Sequence, residues 1–236
     1  MIEKIKVKIS DLSNRVFEKI VKKEVDKFIF DDFKVNNYKY FENIIDIKIW
    51  GQEYSQYYQK LINLSRRMQA TNAQLDELNG LEFYSGYGSI RINDHLRGKT
   101  NDHSLNETIK IIDNHLSKFI LKDNIVVTRR VKKNFMNKKY RINDVFIESG
   151  FLSTSLNLFH KLDDNSDLKP LKNEILLIIK IPKGIIGSYI EEAVPEQKQK
   201  REYEFLIARN QKMIVEYNKR ILSNRLMKIR ICDNDK

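Results

Sequence analysis

Apolar positions recur at helical spacing through the first half of the chain and at strand spacing through the second. In SDLSNRVFEKIVKKEVDKFIF, residues 10–30, the apolar residues Leu12, Val16, Ile20, Val21, Val25 and Phe28 line one side of a helix, and Ser10 suits the N-cap. A second helix is predicted over IKIWGQEYSQYYQKLINLSRRM, residues 47–68. Shorter helical pieces are predicted over Asp76–Tyr84 and Asn106–Leu121, the latter with Ile109, Ile112, His115, Leu116 and Phe119 on one side. After Asp123 the pattern changes. Strands are predicted over Asn124–Val131, Glu174–Ile181, Tyr203–Ala208, Lys212–Lys219 and Arg225–Cys232. EILLIIKI, Glu174–Ile181, is almost uniformly apolar, which predicts a strand covered on both faces. Pro182, Gly184 and Gly187 punctuate the chain after it. No repeat, long linker or low-complexity tract is visible. The simplest reading is one α+β domain over residues 1–236, mainly helical to about residue 120 and β-rich beyond.

Composition supports a globular chain. Its 236 residues can bury a substantial core, with 41% hydrophobic and 32% charged residues. The net charge of +11 favours anionic partners. The basic residues are scattered rather than gathered into one face, so no nucleic-acid partner is expected. A single cysteine, Cys232, excludes an internal disulfide and argues against a cysteine metal site. No apolar run reaches the roughly 18 residues needed to span a membrane. The N-terminal MIEKIKVKISDLSNRVFEK carries no apolar signal core or cleavage site.

Several catalytic schemes are missing. There is no HExxH helix, no glycine-rich phosphate loop and no GxSxG elbow. The four histidines, His95, His103, His115 and His160, connect to no nucleophile or metal motif and read as surface or satisfied core residues. Three features remain. Arg129 and Arg130 are consecutive in a predicted strand, so one faces inward and needs an anion, either a structural carboxylate or a bound phosphate. Ser153, Thr154 and Ser155 are short hydroxyls that either fill a strand or orient a buried carboxylate. In REYEFLI, residues 201–207, strand alternation would put Glu202 and Glu204 on one face, about 7 Å apart, with Tyr203 on the other. Such a pair is either a solvated edge or a site in which each carboxylate raises the other's pKa.

The three features in this order resemble the R-S-E class of bacterial mono-ADP-ribosyltransferase toxins. DIKIWGQEYSQYYQKL resembles the "WG…Y" helix of the C3-like and iota-like exoenzymes. YSGYGSIRINDHLRG resembles their segment ending in "IN…LRG", FLSTS their "FISTS", and IPKGIIGSYI their "IPK…GAYL". The resemblance covers residues 45–220 or so and implies N-terminal helices packed on a mixed, mainly antiparallel β-sandwich core. It implies an enzyme that splits NAD at the nicotinamide–ribose bond and transfers ADP-ribose to a protein side chain, with NAD as co-substrate and no metal.

Residue by residue, the resemblance implies that Arg129, assisted by Arg130, holds the phosphate side of NAD. Arg97 would be a second phosphate-contacting arginine, with Asn93 in the same segment. Ser153 would position the catalytic glutamate, Glu204, against the ribosyl cation. Glu202 occupies the position that differs within the family, and a glutamate there goes with arginine acceptors, because a second carboxylate can take the guanidinium proton. The segment between Gly187 and Glu202 resembles the acceptor-recognition loop, and its Lys198, Lys200 and Arg201 point either to an acidic patch on the target or to a solvated loop. Two departures stand out. VKKNFMNKKY follows the arginine pair without the "SGPQ"-like continuation, and residues 157–173 lack the phosphate arginine, leaving Lys161 or Lys172 as substitutes and Phe159 as the aromatic near nicotinamide. The leading expectation is a monomeric, arginine-specific toxin or effector, secreted or delivered into a target cell, with actin or another host protein as acceptor. An NAD glycohydrolase and a basic binding module on a transferase-like fold are the alternatives.

Overall fold

The computed structural model describes residues 16–132, 140–158, 174–194 and 203–232. The first helix, α1, covers residues 16–28 and runs into a wide π-helical turn, Ile29–Phe33. The predicted start at Ser10 and Leu12 lies outside the described residues. The helix predicted over residues 47–68 is broken into α2 (Ile44–Trp50) and α3 (Gln52–Arg66) at Gly51. There the backbone meets the Tyr189 ring so closely that a Cβ would sit 2.5 Å from it. Then come α4 (Asn72–Phe83), the π-helical turn Tyr84–Gly88, α5 (Ser89–Leu96) and α6 (Asn106–Leu116). The start of α4 lies upstream of the predicted one because Thr71 and Gln74 form a capping box. Helix α6 stops before Phe119, whose ring instead packs against Tyr54, Tyr57 and Tyr58.

The strands are β1 (Ile125–Lys132), β2 (Val145–Glu148), β3 (Leu152–Ser155), β4 (Glu174–Ile181), β5 (Gly187–Tyr189), β6 (Glu204–Ile207), β7 (Gln211–Ile221) and β8 (Asn224–Ile231). Among the described residues they form one mixed sheet in the order β2-β7-β8-β4-β1-β3-β6-β5. The β4–β8 pair is parallel and the other pairs are antiparallel. β1 and β3 share a single register pair, Thr128↔Ser155, so the sheet is two parts joined at a narrow seam. The central core is lined by Val127 and Ile179 from the larger part and by Leu152 and Phe205 from the smaller, so the two parts face each other as a sandwich. Helix α1 covers the outside of the larger part over Val126, Leu176 and Ile178. Helices α3 to α6 cover the outside of the smaller part over Phe151 and Leu206. Past Glu174, β4 is therefore apolar nearly throughout because it has a helix on one face and a sheet on the other. Its exception, Lys180, is buried against Asp32 and Glu216, at 2.8 and 3.2 Å.

A buried polar chain ties the helices to β5. The Tyr58 hydroxyl lies 2.7 Å from His115 Nε2 and 2.8 Å from Ser188 Oγ, while His115 Nδ1 lies 3.3 Å from Glu77. Lys118 and Tyr57 also bond Glu77. Burial raises the Glu77 pKa, but the bonds from His115, Lys118 and Tyr57 outweigh it and hold the carboxyl at about 2, against an ordinary 4.5. A carboxyl lowered by folding contributes stability that is present above its unfolded value and is lost as pH falls through its folded one. Stability measured by urea melts should therefore decline as pH drops from about 4.5 toward about 2, and Glu77→Gln should make that decline shallower. Superimposable wild-type and variant profiles over this window would show that Glu77 is not a source of it.

Candidate active site

The seam between β1 and β3 positions the site. Beyond Thr128↔Ser155 no further register pair joins the two strands among the described residues, and the Arg129 side chain bridges the gap. Its Nη1 donates to the Ser153 carbonyl at 2.9 Å. Alternation along β1 puts Arg129 on the face of Ile125, Val127 and Val131, toward the central core. Burial lowers the Arg129 pKa, and Arg97 adds to this. Tyr84, Glu148 and Glu204 oppose it. A guanidinium stays charged under such a shift, so this is a buried cation within electrostatic reach of a second one and of two carboxylates.

Helix α5 and the turn before it form the opposite wall. The Tyr84 hydroxyl donates to the Phe151 carbonyl at 3.2 Å and accepts from Asn93 Nδ2 at 3.1 Å. Asn93 Oδ1 accepts from the Phe151 N–H at 2.8 Å. Both main-chain polar groups of Phe151, just before β3, are thus held by side chains from the helical layer. Burial pushes the Tyr84 hydroxyl up to about 12. At the end of α5, Arg97 donates from Nε to Glu148 Oε1 at 2.8 Å.

Glu204 opens β6 and is 3% exposed. It lies directly across from Ser155 in the β3–β6 ladder and shares its face with Ser153 two pairs along. Its Oε2 accepts from Ser85 Oγ at 3.3 Å, and its N–H donates to Glu191 Oε2 at 3.3 Å. Among the described hydrogen bonds, none links the Ser153 hydroxyl to Glu204. The contribution of Ser153 is its carbonyl, held by Arg129.

Of the residues singled out in the sequence, the structure brings together Arg129, Arg97, Asn93, Ser153 and Glu204. It does not bring Arg130 to them. β1 turns Arg130 to the α1 side, where Nη1 lies 3.6 Å from Glu174. Burial lowers its pKa, with Glu174 and Glu18 opposing. Glu202, Phe159, Lys161, Lys172, Lys198, Lys200 and Arg201 lie outside the described residues. The strand alternation that placed Glu202 beside Glu204 does not extend that far. β6 begins at Glu204, and Tyr203 before it has φ 50°, a left-handed conformation that ends the two-residue period. Sequence reasoning missed Tyr84, Ser85, Glu148 and Glu191. The first two open the YSGYGSIRINDHLRG segment and Glu148 stands two residues before Gly150, so position relative to known motifs was the available signal. No group of three or more metal-ligating side chains occurs among the described residues.

Together the site offers two guanidiniums suited to a diphosphate and a buried carboxylate suited to a developing cation. Residues 47–234 match the family model described as ADP-ribosyltransferase exoenzyme. The chain belongs to this family of NAD-dependent mono-ADP-ribosyltransferase toxins. Comparison with curated protein sequences returned no match. Among solved structures, the exoenzyme is similar to the Clostridium limosum C3 exoenzyme, with 18% identity over 83% of this chain and 97% of that one, TM-score 0.63. It is similar to C3stau2 from S. aureus, solved with NAD, with 16% identity over 83% of this chain and 98% of that one, TM-score 0.61. It is also similar to the ADP-ribosyltransferase Vis, solved in complex with agmatine, with 21% identity over 78% of this chain and 86% of that one, TM-score 0.51. At these identities the likeness establishes the fold, and the α+β sandwich expected from the sequence agrees with it. No helix among the described residues of the exoenzyme is long and apolar enough to cross a membrane.

The Tyr84 hydroxyl makes a specific stability prediction. Tyr84→Phe strips the Phe151 carbonyl and the Asn93 amide of a buried partner, which should cost about 1–3 kcal/mol in urea denaturation. A change below about 0.5 kcal/mol would mean that the clamp on Phe151 does not depend on the hydroxyl.

Proposed function

We propose that the whole chain is one catalytic domain that transfers ADP-ribose from NAD to an arginine of a host protein, acting as a toxin secreted or delivered into the target cell. The observation that carries this reading is the buried Glu204 carboxylate held within electrostatic reach of the buried Arg129 guanidinium, with Arg97 beside it. Arg129 and Arg97 hold the diphosphate, and Asn93 keeps the α5 wall in register with β3. The bond from ribose C1′ to the nicotinamide nitrogen breaks, and nicotinamide leaves as a neutral molecule with the bonding pair. Glu204 stabilises the cation left on the ribose. Ser153, on the same face as Glu204, holds the Arg129 guanidinium through its carbonyl and so keeps that cation near the carboxylate, and Phe159 stacks near nicotinamide.

Glu202 selects the acceptor. An acceptor guanidinium is protonated and becomes a nucleophile only as it loses a proton. The Glu202 carboxylate takes that proton while the guanidinium nitrogen forms its bond to C1′. The agmatine in the Vis structure carries a guanidinium, which supports an arginine-type acceptor for this chain too. Actin is one candidate among host proteins.

The test uses labelled NAD with agmatine and, separately, a eukaryotic cell lysate, reading label transfer and nicotinamide release side by side. Glu204→Gln should lower both by about 10²–10³-fold, as loss of a preorganised charge stabiliser does. Near-wild-type release from that variant would refute the assignment of Glu204. Glu202→Gln should lose at least about tenfold in transfer and keep nicotinamide release, as removal of a proton acceptor predicts. If release falls as far as transfer, Glu202 does not serve the acceptor.

A further inference from the structure

We infer that Glu148 is a positioning residue for NAD binding, holding Arg97 in place for the diphosphate. The inference rests on the reading of Arg97 as a phosphate contact. Glu148 is the last residue of β2, the edge strand of the larger sheet part, and it is buried. One carboxylate oxygen, Oε1, takes two bonds of 2.8 Å, from Arg97 Nε and from the Gly150 N–H. A single atom thus joins the end of α5 to the turn that leads into β3.

The turn admits no side chain at Gly150. A Cβ there would sit 2.6 Å from Asn93 Oδ1 and 3.1 Å from Arg97 Nη2. Glycine lets the main chain press against α5, and that closeness lets Glu148 reach back to Arg97. At its other end the turn is held by Asn93 through the Phe151 N–H. Arg97 is therefore fixed from two directions: by its backbone, whose N–H closes the last turn of α5 onto the Asn93 carbonyl at 3.0 Å, and by its Nε on Glu148.

The chemistry of the bond suits a support role. Nε is the guanidinium nitrogen nearest the stem, and the terminal pair are the donors a diphosphate takes in a forked contact. A long side chain ordered before the ligand arrives does not have to be ordered by it, so less of the binding free energy is lost to immobilising it. Electrostatics point the same way. Arg97 and Arg129 repel each other, and Glu148 is one of the carboxylates that offset this at Arg129. Glu148 lets the two cations stand together before the diphosphate supplies its own negative charge.

The test compares Glu148→Ala with Glu148→Gln, whose amide oxygen can still accept from both N–H groups. NAD affinity is measured by calorimetry, kcat and KM by nicotinamide release, and folding by circular dichroism. Glu148→Ala should raise Kd and KM for NAD about tenfold with kcat within about threefold, because Glu204 is untouched. Glu148→Gln should bring Kd back to within about threefold of wild type, since it keeps the bonds and drops only the charge. In an Arg97→Ala background, Glu148→Ala should add nothing to the loss, as two residues acting through one contact are non-additive. A folded Glu148→Ala with wild-type Kd, or additive losses in the double variant, would overturn the inference. If Glu148→Ala does not fold, Glu148→Gln decides alone: a folded glutamine variant that loses NAD as badly as Arg97→Ala also overturns it. Arg97→Ala separates the two readings. If it leaves NAD affinity unchanged, the phosphate role of Arg97 fails and the inference falls with it. If it weakens binding while Glu148→Ala does not, only the role of Glu148 fails.

Discussion

The site depends on the place where β1 and β3 stop pairing. A continuous ladder past Thr128↔Ser155 would have closed the gap between the two sheet parts and satisfied the backbone groups of both strands. Instead the strands separate, and the Ser153 carbonyl turns to the Arg129 guanidinium. That bond does two jobs at once. It satisfies a main-chain acceptor that the sheet has abandoned, and it holds a cation at the mouth of the seam. A buried arginine is expensive unless anions surround it, and here Glu148 and Glu204 approach from the larger and the smaller sheet part. The charge arrangement and the sheet architecture are therefore one constraint seen from two sides.

The helical layer completes the arrangement by gripping backbone rather than side chains. Tyr84 and Asn93 together take both polar groups of Phe151, and Glu148 takes the N–H of Gly150. Three side chains thus fix two consecutive residues of the turn before β3. Main-chain contacts of this kind hold the path of the strand whatever side chains it carries. A second tie, between the Tyr58 and Ser188 hydroxyls, holds β5 through a side chain instead, and β5 runs beside the strand that bears Glu204. Both ties are buried polar networks, in which each member stabilises only while its partners are in place.

Much of the fold was legible because its signals are long and periodic. β4 was read correctly as a doubly covered strand, since eight residues with hardly a polar interruption fit nothing else so well. The breaks were not legible. Gly51 looks like an ordinary glycine within a helix until Tyr189, far along the chain, is laid across it. β2 and β5 are four and three residues long, too short to show a period, and they exist because β7 and β6 offer them an edge. The site divides in the same way. Arg129 and Glu204 could be found because a charge inside an apolar strand needs explaining. Tyr84, Glu148 and Glu191 act on main-chain atoms or on another side chain's stem, and beyond their place beside a known motif nothing in a sequence marks such partners.

In REYEFLI the alternation expected from the sequence does not run through Tyr203. Strand alternation requires regular extended backbone, and Tyr203 at φ 50° breaks it one residue before Glu204. A left-handed tyrosine is strained by about 1–2 kcal/mol, so something must hold it there. Its ring is buried in the central core, its carbonyl accepts from Leu156 at 3.0 Å, and the next N–H is taken by Glu191. The strain sits directly before the strand that carries Glu204. The two-residue period of β6 therefore starts at Glu204 and does not run back through Tyr203. Three anchors on one strained residue fix the point at which β6 starts, and with it the position of Glu204.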